Sequence, residues 1–445
     1  MGTTIVHGCC ETKNSSSNLG IRTENHQGFD YQDDEPINIT PSPTSSLTSS
    51  KKLHLKFPSN YLHISKTIPH EVPVCLRFET GDSAIRPGTD LLVLIDQTSH
   101  SMSHLPEIKS FLQNLIKDLS TSDRMAIVGY NTRVLKLSGL VVGNFTGLLK
   151  LNRIIEDLSA EGESDIIEAI NMGLLLLKNR IFVNNNTSIL LISSSPDTYN
   201  STVLERAEWV PNDLKDLNTS LTAIGLSDSH NPELLNFLSV SGDYHYFNDR
   251  SWPSKYKTVT DALFRKKLYN LSVSLSVSSV LQVEISKIFH HAKHLEYGKN
   301  LTIVFIMSIK QAFDDVKDRV HINAKLSHKF DCVEASASID VYGKSWNLED
   351  MAFDEEVMNF YFKEKTIETL LMAIDKNYLI MTRIIDNVLT EALYSPLVES
   401  KIFTQFLRKI QDLRESLQAG SNFENRNKAV LCSFIRTYWG KSVND

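Results

Sequence analysis

Cysteine is scarce. The five present, Cys9, Cys10, Cys75, Cys332 and Cys432, are odd in number and the last three stand far apart, which argues against a disulfide framework and a Cys-rich zinc site and points to a reducing compartment. Positive charge is not in excess either: 46 Lys and Arg against 53 Asp and Glu leave a formal charge of -7. Without concentrated basic surface to neutralise phosphates, nucleic acid is disfavoured as a partner. The longest apolar run, around Leu301 to Ile309, is about half the roughly 20 residues that a bilayer-spanning helix needs, so no transmembrane segment is expected. The N-terminus has no apolar core of a secretory signal. The sequons at Asn144, Asn186, Asn200, Asn218, Asn270 and Asn300 therefore read as accidents of composition, and the expected location is cytoplasmic. Gly2, Cys9 and Cys10 resemble an acylated terminus, but Val6 occupies the place where myristoylation prefers Ser or Thr.

Residues 1–50 are rich in Ser, Thr, Asn, Gly and Pro and poor in apolar clusters, the composition of a disordered tail. Over 51–89 the chain alternates, with Val72, Val74, Leu76 and Phe78 on one face, the period of a half-buried strand. From Asp90 the pattern becomes short apolar strands separated by helical segments, which predicts a doubly wound α/β domain over 90–266 with a sheet covered on both faces. Strands predicted between Leu271 and Val341 form, with the strand near Val72, an antiparallel sandwich (51–89 and 267–350) into which the α/β domain is inserted. Helical spacing returns over 351–445, in segments at Glu356–Ile374, Tyr378–Leu393 and Lys401–Leu417, and Gly420 with the Asn/Ser cluster after it is expected to end that bundle.

Ligands on such sheets bind at the carboxyl ends of the strands, which directs attention to Asp96-Gln97-Thr98-Ser99-His100-Ser101, directly after the apolar run Leu91–Ile95. This stretch resembles the Asp-x-Ser-x-Ser loop of von Willebrand factor type A (vWA) domains. Further along, Leu119 to Arg124 looks like the family's Leu-x-x-x-Asp-Arg, and Gly162-Glu163-Ser164 looks like its Gly-Gly-Thr. Ser193-Ser194-Ser195 sits where the family has Thr-Asp-Gly, and Ile224-Gly225-Leu226 through Tyr244-His245-Tyr246-Phe247 resembles its closing strands. The order of five matches over about 170 residues is what makes the resemblance specific.

In that family the two loop-1 hydroxyls, a second-loop Thr and a third-loop Asp hold a divalent cation that a partner carboxylate completes, a metal-ion-dependent adhesion site suited to Mg²⁺. The resemblance implies Asp96, Thr98, Ser101 and Ser164 as ligands, with His100 rather than Ser101 at the second hydroxyl if the count is strict. Ser194 replaces the Asp, and the next carboxylate, Asp197, lies beyond Pro196. The loss of one carboxylate weakens the hold on a strongly hydrated dication, so the site is expected to be degenerate, with weak Mg²⁺ binding at most and no other cofactor. The layout also looks like eukaryotic vWA proteins that include plant RING-type ubiquitin ligases, although no RING is present.

Other constellations are weaker. His290, His291 and His294 have no Cys or carboxylate at zinc spacing. Arg265-Lys266-Lys267 reads as an exposed helix end, and Trp252-Pro253 as a packing wedge. No Ser-His-Asp order, phosphate loop or nucleophile elbow appears. The expected function is a non-enzymatic, intracellular protein-interaction scaffold; the alternatives are a regulatory or substrate-recognition subunit of a ubiquitin-ligase-like assembly, and a metal-dependent adhesion protein.

Overall fold

The computed structural model describes residues 3–6, 35–36, 52–59, 61–63, 70–79, 88–184, 186–196, 203–247, 252–265, 267–269, 271–289, 294–296, 300–309, 317–328, 331–342, 354–374, 376–395, 397–419 and 424–438. These fall into two compact units. One runs from Ile85 to Lys266 and includes Glu35 and Pro36; the other takes the chain on either side. Gly2, Cys9, Cys10, Asp197, Lys266, His290 and His291 lie outside the described residues, as does most of the stretch expected to be a disordered tail.

The flanking unit opens with β1 (Thr3–Val6), β2 (Lys52–Lys56), β3 (Tyr61–His63) and β4 (His70–Glu79). The α/β unit follows as β5 (Thr89–Asp96), α1 (Leu105–Lys117), β6 (Arg124–Tyr130), β7 (Val134–Lys136), β8 (Val141–Val142), α2 (Phe145–Glu156), α3 (Ile166–Lys178), β9 (Asn186–Ser193), α4 (Val203–Ala207), α5 (Val210–Asp216), β10 (Thr219–Leu226), α6 (Pro232–Leu238), β11 (Tyr244–Phe247) and α7 (Trp252–Phe264). Its sheet has the order β11-β10-β9-β5-β6-β7, with β8 also on β6. β5, β6, β9, β10 and β11 are parallel, and β7 and β8 antiparallel. Every residue of β5, β6, β9 and β10 is buried, because helices cover both faces. Leu91, Val93 and Ile95 pack with α1, α2 and α7. On the other face α3 comes so close that a Cβ at Gly173 would stand 2.5 Å from Leu92 Cδ2.

Because β6 follows β5 on one side while β9, β10 and β11 build out on the other, the chain reverses direction between β5 and β9. That is where open α/β sheets form a crevice at their strand ends.

The amino ends of β5 and β6 carry a buried charge network. Asp90 Oδ1 accepts from Arg124 Nε at 2.9 Å and Asn184 Nδ2 at 2.9 Å. Its Oδ2 accepts from Arg124 Nη2 at 3.0 Å, Arg180 Nη1 at 3.1 Å and the Asn184 amide at 3.1 Å. The Asp90 and Arg124 side chains are fully buried.

The flanking unit resumes with β12 (Lys267–Tyr269), β13 (Leu271–Ser278), β14 (Val283–Phe289), β15 (His294–Glu296), β16 (Leu301–Ile309), β17 (Lys317–His328) and β18 (Asp331–Tyr342). Two sheets, β1-β13-β17-β18-β3 and β14-β16-β4-β2, make the sandwich. Val72, Val74, Leu76 and Phe78 of β4 share one core with Val273, Leu275, Val320 and Ile322 from the facing sheet, as alternation along a strand requires. Cys75 points the other way, with Val304 and Ile306, onto Val357 and Phe360 of α8 (Glu355–Leu371). Next come α9 (Tyr378–Leu393) and α10 (Lys401–Ala419). The expected end of the bundle at Gly420 is too early: α11 (Glu424–Tyr438) follows, burying Ala429, Leu431, Cys432 and Ile435.

Candidate functional site

Asp96 ends β5 and its side chain is fully buried. An isolated carboxylate is too costly to bury without donors, and here four donors meet it. Oδ1 accepts the Thr98 amide at 2.9 Å; Oδ2 accepts the Ser194 amide at 2.8 Å, Ser194 Oγ at 3.1 Å and Ser195 Oγ at 2.7 Å. With its proton on Asp96, Ser195 Oγ receives that of Thr98 Oγ1, 2.7 Å away. The result is a latch across the crevice between β5 and β9. Tyr130 at the end of β6 reaches under it, its hydroxyl donating to the Ile192 carbonyl at 2.9 Å.

The first loop is also tied to the one before α3. The Glu161 amide donates to the Gln97 carbonyl at 2.7 Å, the Ser99 amide to the Gly162 carbonyl at 3.1 Å, and Gln97 Nε2 to the Ser159 carbonyl at 3.0 Å. Gly162 has φ +79, and a Cβ there would stand 2.4 Å from Thr132 Oγ1, so both backbone and space call for glycine. Farther round the rim, Ser229 Oγ donates to the Ser194 carbonyl at 2.9 Å, and Ser227 beside it has φ 59. The next residue, His230, is buried, with Nε2 2.5 Å from the Tyr244 hydroxyl and Nδ1 2.7 Å from the Ser227 carbonyl. Burial pulls its pKa down to about 4, against the opposing pull of the Ser227 and Leu226 hydrogen bonds and of Asp228.

Of the residues marked out in the sequence, Asp96, Thr98 and Ser194 come together. Ser101, not His100, turns inward: Ser101 is buried with Oγ donating to the Thr98 carbonyl at 2.8 Å, whereas His100 is exposed. Ser164 is buried in the second loop, directly before Asp165, whose carboxylate caps α3 by accepting the Glu168 amide at 3.2 Å. Sequence reasoning missed Ser195; the signal was three consecutive serines at the tip of an apolar strand. Asp96→Asn is expected to cost about 2 kcal/mol, since with donors at both oxygens the NH2 of an amide must face a donor whichever way it is turned, and hydrogen bonds to charged groups contribute roughly 1.5–3 kcal/mol each. Urea unfolding checks it, and an unchanged midpoint would contradict the latch.

The family profile of the von Willebrand factor type A domain matches residues 90–262. No curated protein matches the chain in sequence. Among solved structures, a von Willebrand factor type A protein from Catenulispora acidiphila is similar at TM-score 0.59 and 9% identity, over 87% of this chain and 96% of that one. The ArnB paralog VWA2 from Sulfolobus acidocaldarius is similar at TM-score 0.52 and 14% identity, over 88% of this chain and 100% of that one. At these identities the likeness is one of fold, and it extends beyond the α/β unit. The order of the strands, the Asp96 loop at the crevice and the family match agree: residues 90–262 of this chain form a von Willebrand factor type A domain.

Proposed function

We propose that the chain is a non-enzymatic, intracellular protein-interaction scaffold that docks a protein partner on the loops after Ile95, Leu158 and Ile192, with the Asp96 pocket serving as a metal-independent latch. The observation that carries this reading is the saturation of Asp96. Both its oxygens accept from amide and hydroxyl donors of the chain itself, so the carboxylate is already solvated by the protein and a cation would have to displace those donors to reach it. Among the described residues no group of three His, Cys, Asp or Glu side chains is placed to hold a metal ion. One carboxylate and a few hydroxyls do not fit Mg²⁺, which keeps its waters unless several anionic oxygens replace them. On this reading the adhesion site is degenerate, and its amide and hydroxyl donors keep the three loops in register for a partner. No helix among the described residues is long and apolar enough to cross a membrane.

Titration of the full chain with Mg²⁺ and Mn²⁺ in a calorimeter is expected to give no heat above buffer. Ser194→Asp, which places a second carboxylate against Asp96, is expected to lower the melting temperature in EDTA through like-charge repulsion. Mg²⁺ should then restore it, by about 1.4 kcal/mol at ten times its Kd. A sub-millimolar isotherm for the wild type, abolished by Asp96→Asn, would overturn the metal-independent reading. The docking face is tested separately: Met102, 60% exposed beside the latch, changed to Asp should release proteins that co-purify with the full chain, and unchanged recovery would place the interface elsewhere.

A further inference from the structure

The end of the vWA sheet opposite Asp96 holds a second constellation that the scaffold reading does not use. Glu35, far from the domain in sequence, is gripped there through main chain and side chain together. Its amide donates to the Leu140 carbonyl at 3.1 Å, its carboxylate accepts the Val142 amide at 2.8 Å, and its carbonyl accepts Arg124 Nη1 at 2.9 Å. Lys150 Nζ on α2 stands 4.0 Å from the same carboxylate. Val142 ends the short β8 segment against β6 and Leu140 directly precedes that segment, so Glu35 docks on an edge carbonyl through its main chain and on an edge amide through its carboxylate. Arg124 is fully buried, and its Nη1 therefore calls for an acceptor from outside the sheet.

We propose that this pole is a peptide-binding site for an extended, acidic Glu-Pro segment, occupied in cis by Glu35 and Pro36. The edge of β8 reads the backbone, the Val142 amide and Lys150 read the carboxylate, and Pro36 has no amide proton that would demand a further acceptor. Charge agrees on both sides: Asp33, Asp34 and Glu35 form an acidic run, and Lys150 and Arg153 lie on α2. Apolar residues agree as well. Phe29, Tyr31, Ile37 and Ile39 flank the anchor in sequence, while Phe145, Leu149, Ile181 and Val183, sequence neighbours of the gripping residues, are 78, 53, 61 and 58% exposed.

The test uses a fluorescein-labelled synthetic peptide spanning Phe29 to Thr40 and the full chain, wild type and Glu35→Lys. A tethered segment competes at about millimolar effective concentration. Saturable anisotropy is therefore expected on the Glu35→Lys chain and binding at least about tenfold weaker on the wild type. A Glu35→Lys version of the peptide should not bind. Hydrogen exchange at the Val142 amide gives an independent reading: slow in the wild type, faster in Glu35→Ala at unchanged urea stability of the flanking unit. Absence of saturable binding to the Glu35→Lys chain, or equal binding of the two peptides, overturns the site. Loss of Val142 protection on dilution of the wild type overturns occupancy in cis, since the segment would then come from a second copy.

Discussion

Arg124→Met is expected to destabilise the vWA domain by about 3–5 kcal/mol, the usual cost of removing one partner from a buried ion pair. The variant keeps the volume but leaves Asp90, fully buried, with only Arg180 and Asn184 donating to it among the contacts described above, and it also strips the Glu35 and Phe182 carbonyls of a shared donor. The cost is that of the charge left behind, not the net worth of the pair. Asp90→Leu combined with Arg124→Met should accordingly be more stable than Arg124→Met alone, because no uncompensated carboxylate remains. Equilibrium urea unfolding followed by exchange of β5 and β6 amides measures both. A loss under about 1 kcal/mol for the single variant would mean that the network is better hydrated than its burial implies.

The second large effect is a pair of opposite pH responses in the two units. Glu364 on α8 is 4% exposed, and burial raises its pKa to about 7, although the neighbouring Lys363 charge pulls the other way. The unfolded chain gives up that proton near 4.5, so this contribution is complete below pH 4.5 and is lost as the pH rises toward and through 7. His230 in the vWA domain runs in reverse. Its folded pKa of about 4 lies below the ordinary 6.5, so its contribution is present above pH 6.5 and is lost as the pH falls through 4. Each gap of two to three units corresponds to about 3 kcal/mol at 1.36 kcal/mol per unit. Acid should therefore speed exchange in β10 and α6, and alkali in α8 and α11. Glu364→Gln should flatten the alkaline arm and His230→Gln the acid arm. If both units respond in the same direction, the assignment to these two groups fails.

Much of the fold was readable because the period of the side chains is set by burial. β9 and β10, apolar on both faces, announced a covered parallel sheet, and the even-numbered residues from Val72 to Phe78 announced a sandwich strand. What escaped were elements too short to show a period. β7 and β8 have three and two residues, and α5 is a seven-residue turn with Pro211 in its first turn. α11 was missed because its opening turn, Glu424 to Asn427, is wholly polar and follows a glycine. At the site, Asp96 and Thr98 were legible from the loop pattern. The choice between His100 and Ser101 was not, since it depends on the 3-10 turn at Ser99–His104 that swings Ser101 inward. Glu35 was invisible for another reason: its partners are brought to it only by the folded sheet edge.

The position of the vWA domain between β4 and β12 also dictates an order of events during synthesis. In the finished sandwich Phe78 pairs with Leu301, roughly 220 residues downstream, which at 5–20 residues per second is an interval on the order of tens of seconds. For that time β4 has only β2 beside it, while the whole vWA segment emerges and can close on its own. A ten-residue strand with one apolar face waiting in this state is a template for other nascent chains. Pro73, which has no amide proton to offer and lies beyond the Cys75–Glu79 stretch that β2 covers, interrupts that template at its uncovered end.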